Sequence, residues 1–311
     1  MSEGPRTVLL TGASGFVGRP SLAALRARGF RVHAASRHPV SESTPGITWH
    51  AADLLDPAER RRLIEKTRPT HLLHLAWYVE HGKFWTAPQN QDWVEASLDL
   101  IQLFAGQGGQ RAVLTGTCAE YDWSRGSGEP FRETDPCRPA TPYGRAKHAL
   151  AERTAELAGR AGFSFAWARF FLMFGFGEDP RRFIPAIMRA LLRGEEVALS
   201  SGRQIRDFLD TRDIAGALAT LLAADNVTGP VNVASGRAVT LKDAGRMIAR
   251  LSGQPESLLK FGSLPDREGE PASLVADVSR LTREAGFALT HTLEERLAQC
   301  LDWHREAAPN A

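Results

Sequence analysis

A tyrosine and a lysine stand four residues apart in Tyr143-Gly144-Arg145-Ala146-Lys147. Positions four apart share one face of a helix, so the Lys147 ammonium is expected beside the Tyr143 ring. An unperturbed phenol titrates near ~10, and bringing it to about 7 takes roughly 4 kcal/mol. One ammonium about 4 Å away in a partly screened site supplies on the order of 4 kcal/mol. The pair is therefore expected to exchange protons near neutrality. A further hydroxyl is expected from Leu114-Thr115-Gly116-Thr117-Cys118-Ala119-Glu120-Tyr121, which leaves a strand ahead of that helix. Thr117 is the candidate to hold a substrate oxygen beside Tyr143, and Thr115 is assigned to the strand. Tyr-x-x-x-Lys is common by chance, so its weight comes from what precedes it.

Far upstream lies Thr11-Gly12-Ala13-Ser14-Gly15-Phe16-Val17-Gly18, between the apolar run Val8-Leu9-Leu10 and a helical pattern through Leu22 and Leu25. A strand, a glycine-rich turn and a helix in succession present backbone N–H groups and a positive helix end to a pyrophosphate. Gly12 permits the tight turn, Gly15 lets a phosphate approach, and Gly18 lets helix and strand pack closely. Ser14, Phe16 and Val17 complete the cofactor-binding set of this turn. The spacing Gly-x-x-Gly-x-x-Gly departs from the dinucleotide fingerprint, which leaves a purely structural turn as the alternative. At the end of the second strand, Ser36, Arg37 and His38 stand where a carboxylate would take the ribose hydroxyls. A guanidinium suits a ribose 2′-phosphate. The expected cofactor is NADP(H) rather than NAD(H), with Arg37 as the principal phosphate ligand; a solvated arginine is the alternative.

The elements that position these residues follow a repeating order. Arg31 to Ser36 reads as a strand, and Asp56-Pro57 as an N-cap with proline at the first helical position, opening Ala58 to Lys66. His71 to Ala76, Ala112 to Thr115 and Phe163 to Phe171 read as further strands. Strands alternating with helices predict an α/β fold: a doubly wound parallel (Rossmann) sheet covered on both faces. Beyond residue 172 the rhythm loosens, and a smaller, interleaved C-terminal lobe is expected. The expected boundaries are residues 1–172 with about 205–235 for the nucleotide domain, and 173–204 with 236–311 for the lobe. A formal charge of +2, from 38 basic and 36 acidic residues, gives no ground for nucleic-acid binding. Three cysteines without metal spacing suit a reducing compartment. No signal-like or membrane-spanning apolar run is read, so a cytoplasmic location is expected. The scattered histidines suggest no metal site.

With these residues in place, nearly the whole chain resembles the extended branch of the short-chain dehydrogenase/reductase superfamily. Thr11 to Gly18 resembles its glycine motif, and Pro142 to Lys147 its catalytic helix. Asp53-Leu54 is similar to its adenine-contacting pair, and Leu75-Ala76, followed by Trp77, to the strand end beside the cofactor. Gln204-Ile205-Arg206-Asp207-Phe208 and Arg267-Glu268-Gly269-Glu270 resemble two segments whose arginines meet a substrate diphosphate. The resemblance implies a nucleotide-diphosphate sugar as substrate, Thr117, Tyr143 and Lys147 as catalytic residues, Thr115 beside the cofactor, and a homodimer through helices around residues 93–106 and 144–158. Dehydratases of the family carry Thr-Asp-Glu where this chain has Thr117-Cys118-Ala119, which speaks against elimination. Glu120 falls one position later and, in an extended segment, would point to the other side. Leu172 stands where the family places a substrate-contacting asparagine.

The loop Trp77-Tyr78-Val79-Glu80-His81-Gly82-Lys83-Phe84-Trp85 follows a strand directly, so Glu80 and His81 are expected as substrate contacts, with Cys118 nearby in the pocket as a small filler. The leading expectation is an NADPH-dependent reductase of a nucleotide-linked 4-keto-6-deoxy sugar, with Tyr143 as proton donor and Arg206 and Arg267 clamping the diphosphate. The preference for reduction rests on Arg37. A nucleotide-sugar 4-epimerase with a recycled cofactor is the alternative, and a non-catalytic dinucleotide sensor a third.

Overall fold

In the computed structural model residues 6–125 and 128–307 are described; the N-terminal five residues, read above for a targeting signal, lie outside the described residues. Seven strands build the main sheet: β1 (Thr7–Thr11), β2 (Arg31–Ser36), β3 (Ile47–Ala51), β4 (His71–His74), β5 (Arg111–Thr117), β6 (Ser164–Phe170) and β7 (Gly229–Val233). All pairings are parallel, in the order β3-β2-β1-β4-β5-β6-β7. The order reverses between β1 and β4, so their carboxyl ends open the crevice in which open α/β sheets bind ligands. The helices in chain order are α1 (Gly18–Ala27), α2 (Pro57–Thr67), α3 (Gln89–Gly106), α4 (Pro142–Ala161), α5 (Phe183–Leu192), α6 (Thr211–Ala223), α7 (Leu241–Ser252) and α8 (Leu293–Ala307).

Alternation along the strands divides the core. Leu9, Leu72, Ala112 and Leu114 face α2, α3 and α4, while Val8, Leu10, Leu73 and Val113 face α1 and α6. Every residue of β5 is buried, as a strand covered on both faces requires. Asp56 caps α2 as its sequence implies, accepting from the Ala58 and Glu59 amides. β3 was not read from the sequence. It is a short edge strand in which Ile47 and Trp49 pack half-buried against the core and only His50 is fully buried.

A smaller lobe gathers α5, α7 and α8 around Ile184, Ile187, Met188, Leu191, Ile248, Leu297 and Leu301. A separate three-stranded sheet forms beyond the main one, with Ile205–Arg206 lying between Val239–Thr240 and Ser273–Leu274. Asp207 fastens this junction. Its buried carboxylate accepts from the Ser235 hydroxyl and from the Ser235, Gly236 and Ala276 amides.

Candidate active site

The glycine turn is shaped by backbone contacts. Gly12 has φ +66°, and a Cβ there would lie 2.9 Å from the Ala76 nitrogen. A Cβ on Gly18 would overlap the Gly12 carbonyl oxygen. Both positions demand glycine, one for its dihedral and one for its space. The Thr11 hydroxyl ties the turn to β4, accepting from the Leu75 and Ala76 amides and pairing with His74 Nδ1 at 2.8 Å. Burial pulls the His74 imidazole down to about 3, so it serves as a neutral strut. Neither this role of Thr11 nor His74 was read from the sequence; the signal was a hydroxyl immediately ahead of the glycines. Ser14 and Gly15 are exposed at the crevice, Phe16 and Val17 half-buried. No side chain caps α1 and no acidic residue lies in its first turn. An uncapped helix start above an open glycine loop fits a dinucleotide pyrophosphate.

Lys147 sits deeper in the same crevice, 3% exposed. Its ammonium donates to the Thr115 carbonyl at 2.9 Å and lies 3.7 Å from the centre of the Trp77 ring. Asn90 holds that ring in place by accepting from its Nε1 at 2.9 Å. Burial pulls the ammonium down to about 7, with Glu120 opposing. Tyr143 opens α4 behind Thr141, whose hydroxyl caps the helix, and Pro142 at its first position. The phenol ring meets Phe84 and Trp85 edge-on at 4.9 and 5.7 Å, and the Tyr143 amide donates to the Trp85 carbonyl. Thr117 ends β5, and its hydroxyl is the hydrogen-bond partner that favours the ionised phenol. Thr117, Tyr143 and Lys147 are thus brought together at the carboxyl edge of the sheet.

Their electrostatics differ from the expected pairing. The Tyr143 phenol is pushed up, first by burial and then by Glu120. The ammonium is spent on a carbonyl and an indole face and is itself desolvated. Glu120 does not point to the far side either. Residues 118–120 form a 3-10 turn capped by Thr117, which folds the carboxylate back under the strand end. There it accepts from the Thr117 amide, Trp167 Nε1 and Arg169 Nε.

The remaining candidates scatter. Asp53 is half-buried, with its carboxylate accepting from the Leu55 amide, and Leu54 is buried beside it. Ser36 donates to the His38 carbonyl, while Arg37 and His38 are exposed. Glu80 is exposed and engaged by Tyr78 and Lys83; His81 is half-buried. Cys118 is buried, and burial pushes its thiol up to about 12. The clamp expected of Arg206 and Arg267 is not assembled. Arg206 is 2% exposed and bonds Glu270 at 2.6 Å and the Ile205 and Pro271 carbonyls, whereas Arg267 is exposed. Across the crevice, the Glu178 carboxyl pairs with Arg182 at 2.9 Å and burial pushes it up to about 7. Neither residue was read from the sequence, where the glycines around them signalled only a loop.

Glu120, Cys137 and His148 offer ligand atoms within 4.8 Å of one another. The Arg169 guanidinium bonds both Glu120 and Cys137, so a cation already fills that place.

A family profile described as the NAD dependent epimerase/dehydratase family matches residues 8–234. The chain belongs to that family and is an NAD(P)-dependent enzyme of the extended short-chain dehydrogenase/reductase type. It is 29% identical over 309 residues to dTDP-6-deoxy-L-talose 4-dehydrogenase (NAD(P)(+)) of Kitasatospora kifunensis, covering 95% of this chain and 94% of that protein. It is 26% identical over 328 residues to UDP-glucose 4-epimerase of Rhizobium leguminosarum bv. trifolii, covering 97% and 98%. The solved structure of MoeE5 in complex with UDP-glucuronic acid and NAD matches with a TM-score of 0.83 at 29% identity, over 97% of this chain and 99% of that one.

These likenesses overturn the expectation of NADP(H): the solved relative holds NAD, and the family that the chain matches is described as NAD dependent. The physical reason lies at the end of β2. Among the described residues Arg37 has no partner that orients its guanidinium, and the Ser36 hydroxyl is turned to the His38 carbonyl. An exposed arginine at a strand end is a solvated charge, not a phosphate pocket.

Proposed function

We propose that the chain is a nucleotide-sugar 4-epimerase that recycles a bound NAD. The observation that carries this reading is the convergence of one phenol, one hydroxyl and one ammonium on the crevice, with Cys118 and Ala119 where elimination would need carboxyl groups. The chemistry NAD supplies when bound is acceptance of hydride from one sugar carbon and its return to the opposite face. Gly12 to Gly18 would hold its pyrophosphate, and Trp77 and Lys147 would flank its nicotinamide end. Tyr143 carries the proton of the reacting hydroxyl in both directions, Thr117 orients that oxygen, and the buried Lys147 steadies the site through the Thr115 carbonyl. The likeness to UDP-glucose 4-epimerase supports a nucleoside-diphosphate hexose as substrate, and a homodimer through α3 and α4 belongs to the same reading.

Incubation of the purified protein with UDP-glucose is expected to yield its 4-epimer with no net change in reduced-nicotinamide absorbance. The likeness to the talose dehydrogenase favours a second reading, reduction of a 4-keto-6-deoxy nucleotide sugar. Consumption of one reduced nicotinamide per keto sugar, without interconversion, would replace the epimerase by that reductase. Elution at twice the 34.0 kDa chain mass tests the dimer.

A further inference from the structure

The buried indole in the loop after β4 has a hold on Lys147 that neither reading has used. Trp77 is 8% exposed, and its Nε1 donates to Asn90 Oδ1 at 2.9 Å. Asn90 is buried too, and its Nδ2 donates to the Phe84 and Ala87 carbonyls at 2.8 and 2.9 Å. Two carbonyls at one end and an indole N–H at the other leave the amide a single orientation. The Trp93 ring packs against the same indole, 6.1 Å away centre to centre. Asn90 also fixes the stretch on which Tyr143 leans, because Phe84 and Trp85 meet the phenol ring edge-on. One buried amide thus braces the supports of both Tyr143 and Lys147.

The ammonium above that indole has few partners. Lys147 Nζ lies 3.7 Å from the centre of the Trp77 ring, and its one acceptor among the described residues is the Thr115 carbonyl at 2.9 Å. Among the described residues no carboxylate pairs with it, although it is buried. A buried charge is costly unless negative potential faces it, and an indole face supplies that potential. We propose that Trp77 is a positioning residue of the reaction: its face, pinned by Asn90, holds the Lys147 ammonium in place and leaves one of its three N–H donors for an oxygen in the crevice. A fixed ammonium serves both halves of an epimerisation, because it neither takes nor gives the travelling proton. The inference rests on Tyr143 and Lys147 as the working pair.

The test begins without substrate. The chain has five lysines, Lys66, Lys83, Lys147, Lys242 and Lys260, so labelling lysine Cε with carbon-13 gives five methylene signals, of which Lys147→Met identifies one. The ring current of the indole should place the Lys147 signal upfield of the other four. Trp77→Leu should return it to their range and lower kcat about tenfold at saturating NAD, with KM for the nucleotide sugar within about twofold of wild type. Trp77→Phe keeps a π face without the N–H and should recover most of both losses. A Lys147 signal among the others in wild type, or wild-type kcat in Trp77→Leu, would overturn the proposal. Should Trp77→Leu fail to fold, growth on a fluorinated tryptophan weakens every indole face while keeping its shape. Turnover should then fall in the wild-type chain and hold in Trp77→Phe; an equal response of the two overturns the proposal. A wild-type protein with the upfield lysine that interconverts no nucleotide sugar would sink the epimerase reading alone, and kcat would then be read from keto-sugar reduction.

Discussion

The two sides of the crevice are built on different principles. On the nucleotide side the chain is held by backbone: Gly12 against Ala76, Gly18 against the Gly12 carbonyl, Thr11 against two amides. On the lobe side it is held by pairs of charged side chains, Arg206 with Glu270 from a distant segment and Glu178 with Arg182 one helical turn on. Backbone contacts tolerate one geometry, whereas ion pairs can be exchanged for a ligand's charges. The difference suits a coenzyme that stays and a substrate that comes and goes.

Variants can break or sharpen this contrast. Tyr143→Phe, at the seam of the two sides, should lower turnover about a thousandfold while NAD affinity stays unchanged, as paired kinetic and binding titrations would show. Gly18→Ala forces a methyl against a carbonyl oxygen and should weaken NAD binding about a hundredfold, since the backbone must shift; an unaltered affinity in calorimetry would undo the backbone half of the contrast. Glu178 has its carboxyl raised from 4.5 to about 7, so the folded state binds more protons than the unfolded one across that window. Its contribution is therefore fully present below the unfolded value and lost as pH rises to about 7. Glu178→Gln should gain stability over wild type as pH rises through that range, by up to about 3 kcal/mol, read from denaturant midpoints.

Smaller effects probe the exchangeable pairs. Glu270→Gln removes the carboxylate that competes for Arg206, and KM for a nucleotide sugar should fall roughly fivefold, about 1 kcal/mol. A KM that rises instead would make Glu270 part of the binding surface. Arg37→Ala should change NAD affinity by less than about twofold, because an exposed, unpaired guanidinium contributes little.

How far each side was legible follows from the same contrast. The turn Thr11 to Gly18, the Asp56-Pro57 helix start and the Tyr143–Lys147 spacing are local, so residue type and separation were enough to place them. Edge strand β3 was missed because Ile47 and Trp49, its only core-packed apolar pair, make too short a period to read. Glu120 was set on the wrong side because an extended segment was assumed where the chain makes a 3-10 turn. The engagement of Arg206 by Glu270 was not legible because that partner lies 64 residues away. The Lys147 contacts with the Thr115 carbonyl and the Trp77 ring were not legible because helical spacing says that two side chains share a face, not where each one points. Arg37 misled for a related reason: a charge was legible, but the pocket that would give it meaning was not.

Asp207 has one further consequence. It joins the stretch after β7 and the strand at 273–274 to the residue beside Arg206, through four donors on one buried carboxylate. A lobe transplanted from another chain to alter sugar preference would therefore need to carry matching amides at 235, 236 and 276. Swapping the lobe's pocket residues singly leaves that joint whole, which makes point changes the safer route to a new specificity.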